Sequence, residues 1–250
     1  MTDAPIDPLV IIELTNLKAA GKLEELAKHP SLAMKPEWIR ELAKNESPGV
    51  RVALTRNLTI WDFPEIVATL ASDQDSYVRR SLASNPAIAN YPKIIEQLST
   101  DKDYEVRYNL ARNPAIANYP EVIQTLAADK NHTVRRCLAE SPAIACLPMV
   151  IKALAADKNH TVRSWLAENP TIADCPEAIQ TLASDEDWLV RRNLAQNPAI
   201  ANFPDVITKL SKDRSKNVRE ALANNPAIPS RTASTNPWQT IQPATQVPAV

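Results

Sequence analysis

Glycine is nearly absent, with 2 residues in a chain of 250, and aromatic side chains make up only 5%. A sheet protein built on glycine turns and aromatic or β-branched strands is therefore disfavoured. Histidine is scarce as well, at 3. There is no Gly-rich phosphate loop, no nucleophile elbow and no His-Glu-x-x-His string, so the raw material for acid–base or phosphate chemistry is thin. The cysteines, Cys137, Cys146 and Cys175, are odd in number and include no Cys-x-x-Cys pair. Neither a disulfide framework nor a zinc site is indicated, and no cofactor is expected. No run of 18 apolar residues occurs, and residues 1–14 lack a basic leader, which reads as a soluble, cytoplasmic protein without a membrane partner. The 28 Lys plus Arg balance 29 Asp plus Glu. That balance gives no global footprint for nucleic acid or an anionic surface.

What the chain has is proline, 21 in all, together with a period. Asn-Pro or its equivalent recurs at His29, Asn57 (followed by Leu58), Asn85, Asn113, Ser141, Asn169, Asn197 and Asn225, always 28 residues apart. A fixed period of this length marks a solenoid. Seven full units run from 29 to 224, with a terminal fragment reaching 228. Residues 1–28 form a degenerate capping repeat in which Val10, Ile11, Leu14 and Leu26 keep the register. From 229 to 250 the period is lost and Pro, Thr, Ser and Gln dominate, which reads as a disordered tail; Trp238 within it is a candidate linear anchor.

Each unit predicts two helices. In the unit 85–112, Asn85-Pro86 makes a corner, because the proline pushes its predecessor out of the α region and cannot continue the preceding helix. Asn90 is expected to start helix A, with Asp62, Asn118, Cys146, Asp174 and Asn202 as its counterparts. The acidic residues three positions on, such as Glu65, Glu121, Glu177 and Asp205, complete a capping-box pattern. The helix then carries an apolar stripe of the Ile94, Ile95 and Leu98 type. Helix B is expected to begin at Ser47, Asp75, Asp103, Asn131, Asn159, Asp187 and Ser215, all good N-caps. Its core columns are Val106 and Leu110 with their equivalents. One such pair of helices cannot bury its stripes alone, whereas stacked units can, so the fold class is all-α, an α-solenoid.

The string Val106-Arg107, Leu110-Ala111, Asn113-Pro114, then Leu126-Ala127 and Asp129, resembles the leucine-rich repeat variant family, and more loosely the HEAT repeats, over about residues 29–228. The resemblance implies a helical-repeat array without catalytic residues. An iron–sulfur cluster known in that family is not implied, because no cysteine precedes Cys137. Five residues separate Pro114 from Pro120, more than in the family, which leaves the helix type, α or 3₁₀, open.

Asp73, Asp101, Asp129, Asp157, Asp185 and Asp213 each stand six residues before Arg79, Arg107, Arg135, Arg163, Arg191 and Arg219. The spacing predicts a ladder in which each guanidinium pairs with carboxylates of its own and the adjacent unit. The competing reading presents these arginines, with Arg51, to phosphates. His132 and His160 lie in identical strings one period apart, which fits duplication and exposed polar positions better than a metal pair.

The columns that vary while the frame stays fixed run along helix B at i, i+3, i+4 and i+7, the positions of Glu105, Tyr108, Asn109 and Arg112. They place Tyr77, Arg80, Tyr108, Arg112, Arg136, Trp165, Leu189, Arg192 and Asn193 on one candidate partner-binding stripe. Tyr, Trp and Arg are the residue types that anchor protein interfaces. The function expected is a non-enzymatic scaffold that binds a protein or peptide on the helix B face. The alternative is a nucleic-acid-binding HEAT-like protein or a helical-repeat enzyme of lyase or glycosylase type.

Overall fold

The computed structural model describes residues 8–228, and among them every regular element is helical. The tail from 229 to 250, Trp238 included, lies outside the described residues. Helices Pro8–Ala19 and Leu23–Lys28 precede the first unit. Helices A follow as Pro36–Leu42, Pro64–Ala71, Pro92–Ser99, Pro120–Ala127, Pro148–Ala155, Pro176–Ala183 and Pro204–Ser211. Helices B are Pro48–Thr55, Ser76–Ala83, Tyr104–Arg112, His132–Glu140, His160–Glu168, Trp188–Gln196 and Lys216–Ala223.

The proline corners are helical too. Asn85 is extended (φ −83°, ψ 123°), and its side chain accepts from the Ala87 N–H to start a 3₁₀ turn, Pro86–Asn90. The same turn recurs at every corner from Pro30–Met34 to Pro198–Asn202. Its central residue, Ile60, Ile88, Ile116, Ile144, Ile172 or Ile200, is fully buried. At roughly 1.5–3 kcal/mol for each fully buried isoleucine, these corners form a third seam of core between the two helix rows. The question of helix type is thus answered unit by unit: helix A is α, and the 3₁₀ segment is the corner.

The predicted capping box on helix A does not form. Asn90 is the last residue of the 3₁₀ turn, and the residue before helix A is Tyr91 (φ −126°, ψ 68°), whose side chain makes no cap bond. Phe63, Tyr119, Leu147, Cys175 and Phe203 behave alike. The second proline of the unit is the cause. It expels its predecessor from the α region and sits at the first helical position, where a missing N–H costs nothing. Helix B starts as predicted in all seven units, and in five of them the cap bond forms, Asp75, Asp103, Asn131, Asn159 and Asp187 each accepting from the N–H two residues on. Ser47 and Ser215 make no such bond.

The core runs the length of the stack, with Val106, Leu110, Ile95 and Leu98 fully buried and their counterparts nearly so. Each helix B packs closely on the next helix B, while successive helices A stand further apart. The array therefore bends with the helix B row on the inner side. Among the described residues no helix is long and apolar enough to cross a membrane.

Candidate binding surface on the helix B row

Before the variable stripe can be read, the fixed polar groups beside it must be assigned. Arg135 clamps Asp157, 22 residues ahead, with Nε to Oδ2 at 2.5 Å and Nη2 to Oδ1 at 2.9 Å. Its Nη1 turns back and donates to the Asp129 carbonyl at 2.6 Å. Arg51–Asp73, Arg79–Asp101, Arg107–Asp129, Arg163–Asp185 and Arg191–Asp213 repeat the arrangement. The ladder is real, but the own-unit half of the expectation is corrected. Each arginine meets a carboxylate only in the next unit and a backbone carbonyl in its own, because the nearer aspartate is already held by the preceding arginine. Arg219 is the exception: exposed, it donates to the Asp213 carbonyl and meets no carboxylate among the described residues.

Both sides of these pairs feel the contact. The hydrogen bond to Asp157 raises the Arg135 pKa against burial. Burial alone would raise that of Asp157, but the Arg135 bond, the Asn159 N–H and the guanidinium charge outweigh it and hold the carboxyl below its ordinary range. Asp101 and Asp129 are lowered in the same way, and Asp213 chiefly by Arg191. The six paired guanidiniums are at most 8% exposed. Each is neutralised by its carboxylate and largely shielded from a phosphate.

A second ladder runs the other way. Asn113 Nδ2 donates back to the Ala83 and Asn85 carbonyls at 2.8 and 3.0 Å. Asn57, Asn169, Asn197 and Asn225 do likewise. Asn85 reaches Thr55 alone. Ser141 breaks the series, its Oγ only accepting from the Ala143 N–H at 3.2 Å, and the corner after it is shortened to Pro142–Ile144. Two tyrosines add a third tie, Tyr119 Oη donating to the Ala89 carbonyl at 2.5 Å and Tyr91 to the Trp61 carbonyl.

The variable stripe is more mixed than its pattern implies. Tyr77 is 63% exposed and lies under the Arg80 guanidinium at 4.9 Å, and Arg80 pairs in turn with Glu105 of the next unit. Arg112 is exposed and stands over Tyr108 at 5.8 Å; Arg136 stands over Trp165 at 5.2 Å. Tyr108 and Trp165 are half-buried and pack on the core, while Leu189 and Arg192 are also half-buried. Asn193 does not belong on an exposed stripe. It is 4% exposed, and its Nδ2 donates to Ser164 Oγ at 2.7 Å and to Glu168 Oε1 at 2.5 Å. The i+4 column sits where one helix B meets the previous one, so its side chains are drawn inward. Glu168, beside this contact, has its pKa raised by burial, with Arg192 opposing.

Two exposed aromatics escaped the pattern. Tyr104 and Trp188, each 44% exposed, occupy the first turn of helix B one residue before the column considered, where other units carry Ser76, His132, His160 and Lys216. Variation within a fixed frame, applied to that column as well, finds them. Open clefts flank both ends of the row, one lined by Arg56, Tyr77, Arg80 and Asn109, the other by Trp188, Arg192, Asn217 and Glu220. Cys137 is no reactive group. Burial pushes its thiol up to about 12 despite Arg112 and Arg136 nearby. His132 and His160 are both exposed, and among the described residues no three metal-ligating side chains gather.

Fold and surface together define an α-solenoid of tandem 28-residue units, each contributing α, 3₁₀ and α segments. The chain is similar to the X-ray structure of YibA from E. coli, at 19% identity over 82% of this chain and 84% of that one, with a TM-score of 0.45. It is also similar to a leucine-rich repeat variant described as having a novel repetitive structural motif, at 21% identity over 81% and 84%, again with a TM-score of 0.45. No family model and no curated protein matches it.

Proposed function

We propose that the array is a non-enzymatic scaffold that binds a protein or peptide along the inner, helix B row. The observation that carries this reading is the set of guanidiniums stacked on Tyr77, Tyr108 and Trp165 at positions the frame leaves free. Arginine held over an aromatic face is pre-positioned and loses little entropy on binding. The buried ladder arginines serve the frame, and the stripe arginines are separate from them. That division favours a protein or peptide over a phosphate backbone, which takes long runs of unpaired basic groups.

The test is retention of a partner captured on the immobilised full chain. Tyr77→Ala and Tyr108→Ala should each release it, with an interface anchor costing about 2 kcal/mol or more in affinity. Lys93→Ala, on helix A, should not. Equal retention by all three variants would rule out the helix B row as the working surface.

A further inference from the structure

The row is not uniform along its length. Four consecutive helices B each place one arginine outside the ladder on this face: Arg56, Arg80, Arg112 and Arg136. They alternate between the i+7 and i+3 columns, so that Arg56 and Arg112 share one and Arg80 and Arg136 the other. Against these four stand two acids: Glu105, which pairs with Arg80 at a contact still about two-fifths open to solvent, the two side chains being 37% and 43% exposed, and the exposed Glu140, which ends the fourth helix and closes the stretch. Beyond the fourth helix the sign reverses. Arg192 stands with Glu168 and, across a cleft, with Glu220, and on the near side the exposed Glu24 of helix Leu23–Lys28 occupies the column of Arg80 and Arg136. The basic stretch is therefore bounded at both ends and spans four units. Three of its arginines lie over aromatic rings, and the fourth, Arg56, lines the cleft with Tyr77 and Arg80.

We infer that these four units take an acidic peptide segment in extended form, with one carboxylate for each unit. The inference rests on the binding-row reading above and specifies its partner. Charge complementarity fixes the sign. Spacing fixes the rest: neighbouring helices lie roughly 10 Å apart and an extended chain advances about 3.3 Å per residue, so carboxylates about three residues apart meet successive arginines. The whole stretch covers three such steps, about 30 Å, or roughly ten residues. The acids beyond each end repel a longer acidic run, which sets the length of the segment.

The probes are labelled synthetic 12-residue peptides in an Ala/Ser background, bound to the full chain and read by fluorescence anisotropy. One carries Glu at every third position, one the same four Glu in a block, and one Lys in place of Glu. A single-stranded 12-nucleotide RNA is the fourth probe. The spaced Glu peptide should bind about tenfold more tightly than the block peptide and more tightly still than the Lys peptide. Arg112→Glu should cost it about tenfold or more, Arg112→Gln less, and Arg192→Glu nothing, with circular dichroism showing each variant folded. If the Lys peptide binds as well as the Glu peptides and Tyr108→Ala abolishes both, the row binds peptides without the proposed selectivity: the inference falls and the function stands. Equal losses for Arg112→Glu and Arg192→Glu also overturn it. Tighter binding of the RNA than of any peptide overturns both, and so does binding of no probe combined with partner retention by the Tyr77 and Tyr108 variants.

Discussion

Arg135 is the most demanding place to test the frame. In the native state it donates three hydrogen bonds, two to Asp157 and one to the Asp129 carbonyl, and both side chains of the pair are 6% exposed. Arg135→Ala leaves Asp157 with the Asn159 N–H, at 2.8 Å, as its remaining partner in a site shielded from water. Removing one member of a buried pair costs about 3–5 kcal/mol, most of it from the uncompensated charge left behind. The adjacent Arg136 is half-buried, stacks on Trp165 and holds no carboxylate among the described residues, so Arg136→Ala costs only about 0.5–1 kcal/mol. Urea unfolding followed by circular dichroism at neutral pH should give a clearly lower midpoint for the first variant than for the second. Acid supplies a check on the cause. Because the Asp157 pKa is lowered in the fold, its contribution is fully present above the ordinary carboxylate pKa, about 4, and is lost as pH falls through the folded value. The gap between wild type and Arg135→Ala should therefore be widest at neutral pH and narrow on acidification. Equal midpoints for the two variants, or a gap that widens towards acid, would refute the ladder as the source of the effect.

Two further outcomes follow from the other contacts. Ser141→Asn should restore the donors that the Ala111 and Asn113 carbonyls lack from this corner and raise stability by about 1 kcal/mol, seen as a higher thermal midpoint; an unchanged or lower midpoint would mean that the shortened corner cannot accept the amide. Deleting residues 113–140 should leave a folded, less stable helical protein, since Arg107 would then meet Asp157 in place of Asp129; loss of cooperative unfolding would contradict nearest-neighbour stacking.

The period, the two α-helices and their core columns were legible because each unit repeats the same local signals. Asp75 and its counterparts cap helix B through short-range geometry that four consecutive residues specify. The start of helix A was not legible in the same way. Asn118 and Glu121 sit at capping-box spacing, yet the intervening proline hands the first helical position to Pro120 and leaves Asn118 to the 3₁₀ turn. The partner of each arginine was ambiguous for an arithmetic reason: in a strict period, an aspartate six residues behind implies another 22 ahead, and only the stack distinguishes them. Asn193 was misplaced because helical spacing puts its column at the edge of the exposed arc, and the closeness of neighbouring helices B decides that edge. Trp188 was missed for a similar cause, one column outside the arc.

The opposed reach of the two ladders gives the stack unlike ends. An N-terminal truncation that begins at residue 85 strips Asp101 of Arg79 and leaves Asn113 with the Asn85 carbonyl alone, stranding an anion that its own unit does not satisfy. A C-terminal truncation strands a guanidinium on a long, flexible arm that still holds its own unit's carbonyl, the state in which Arg219 already exists. Shortening from the rear is thus far less costly than shortening from the front. A ribosome releases such a chain front first. Every partly made product then ends in the tolerated state, with its last arginine turned outward and the aspartate that will satisfy it next to emerge.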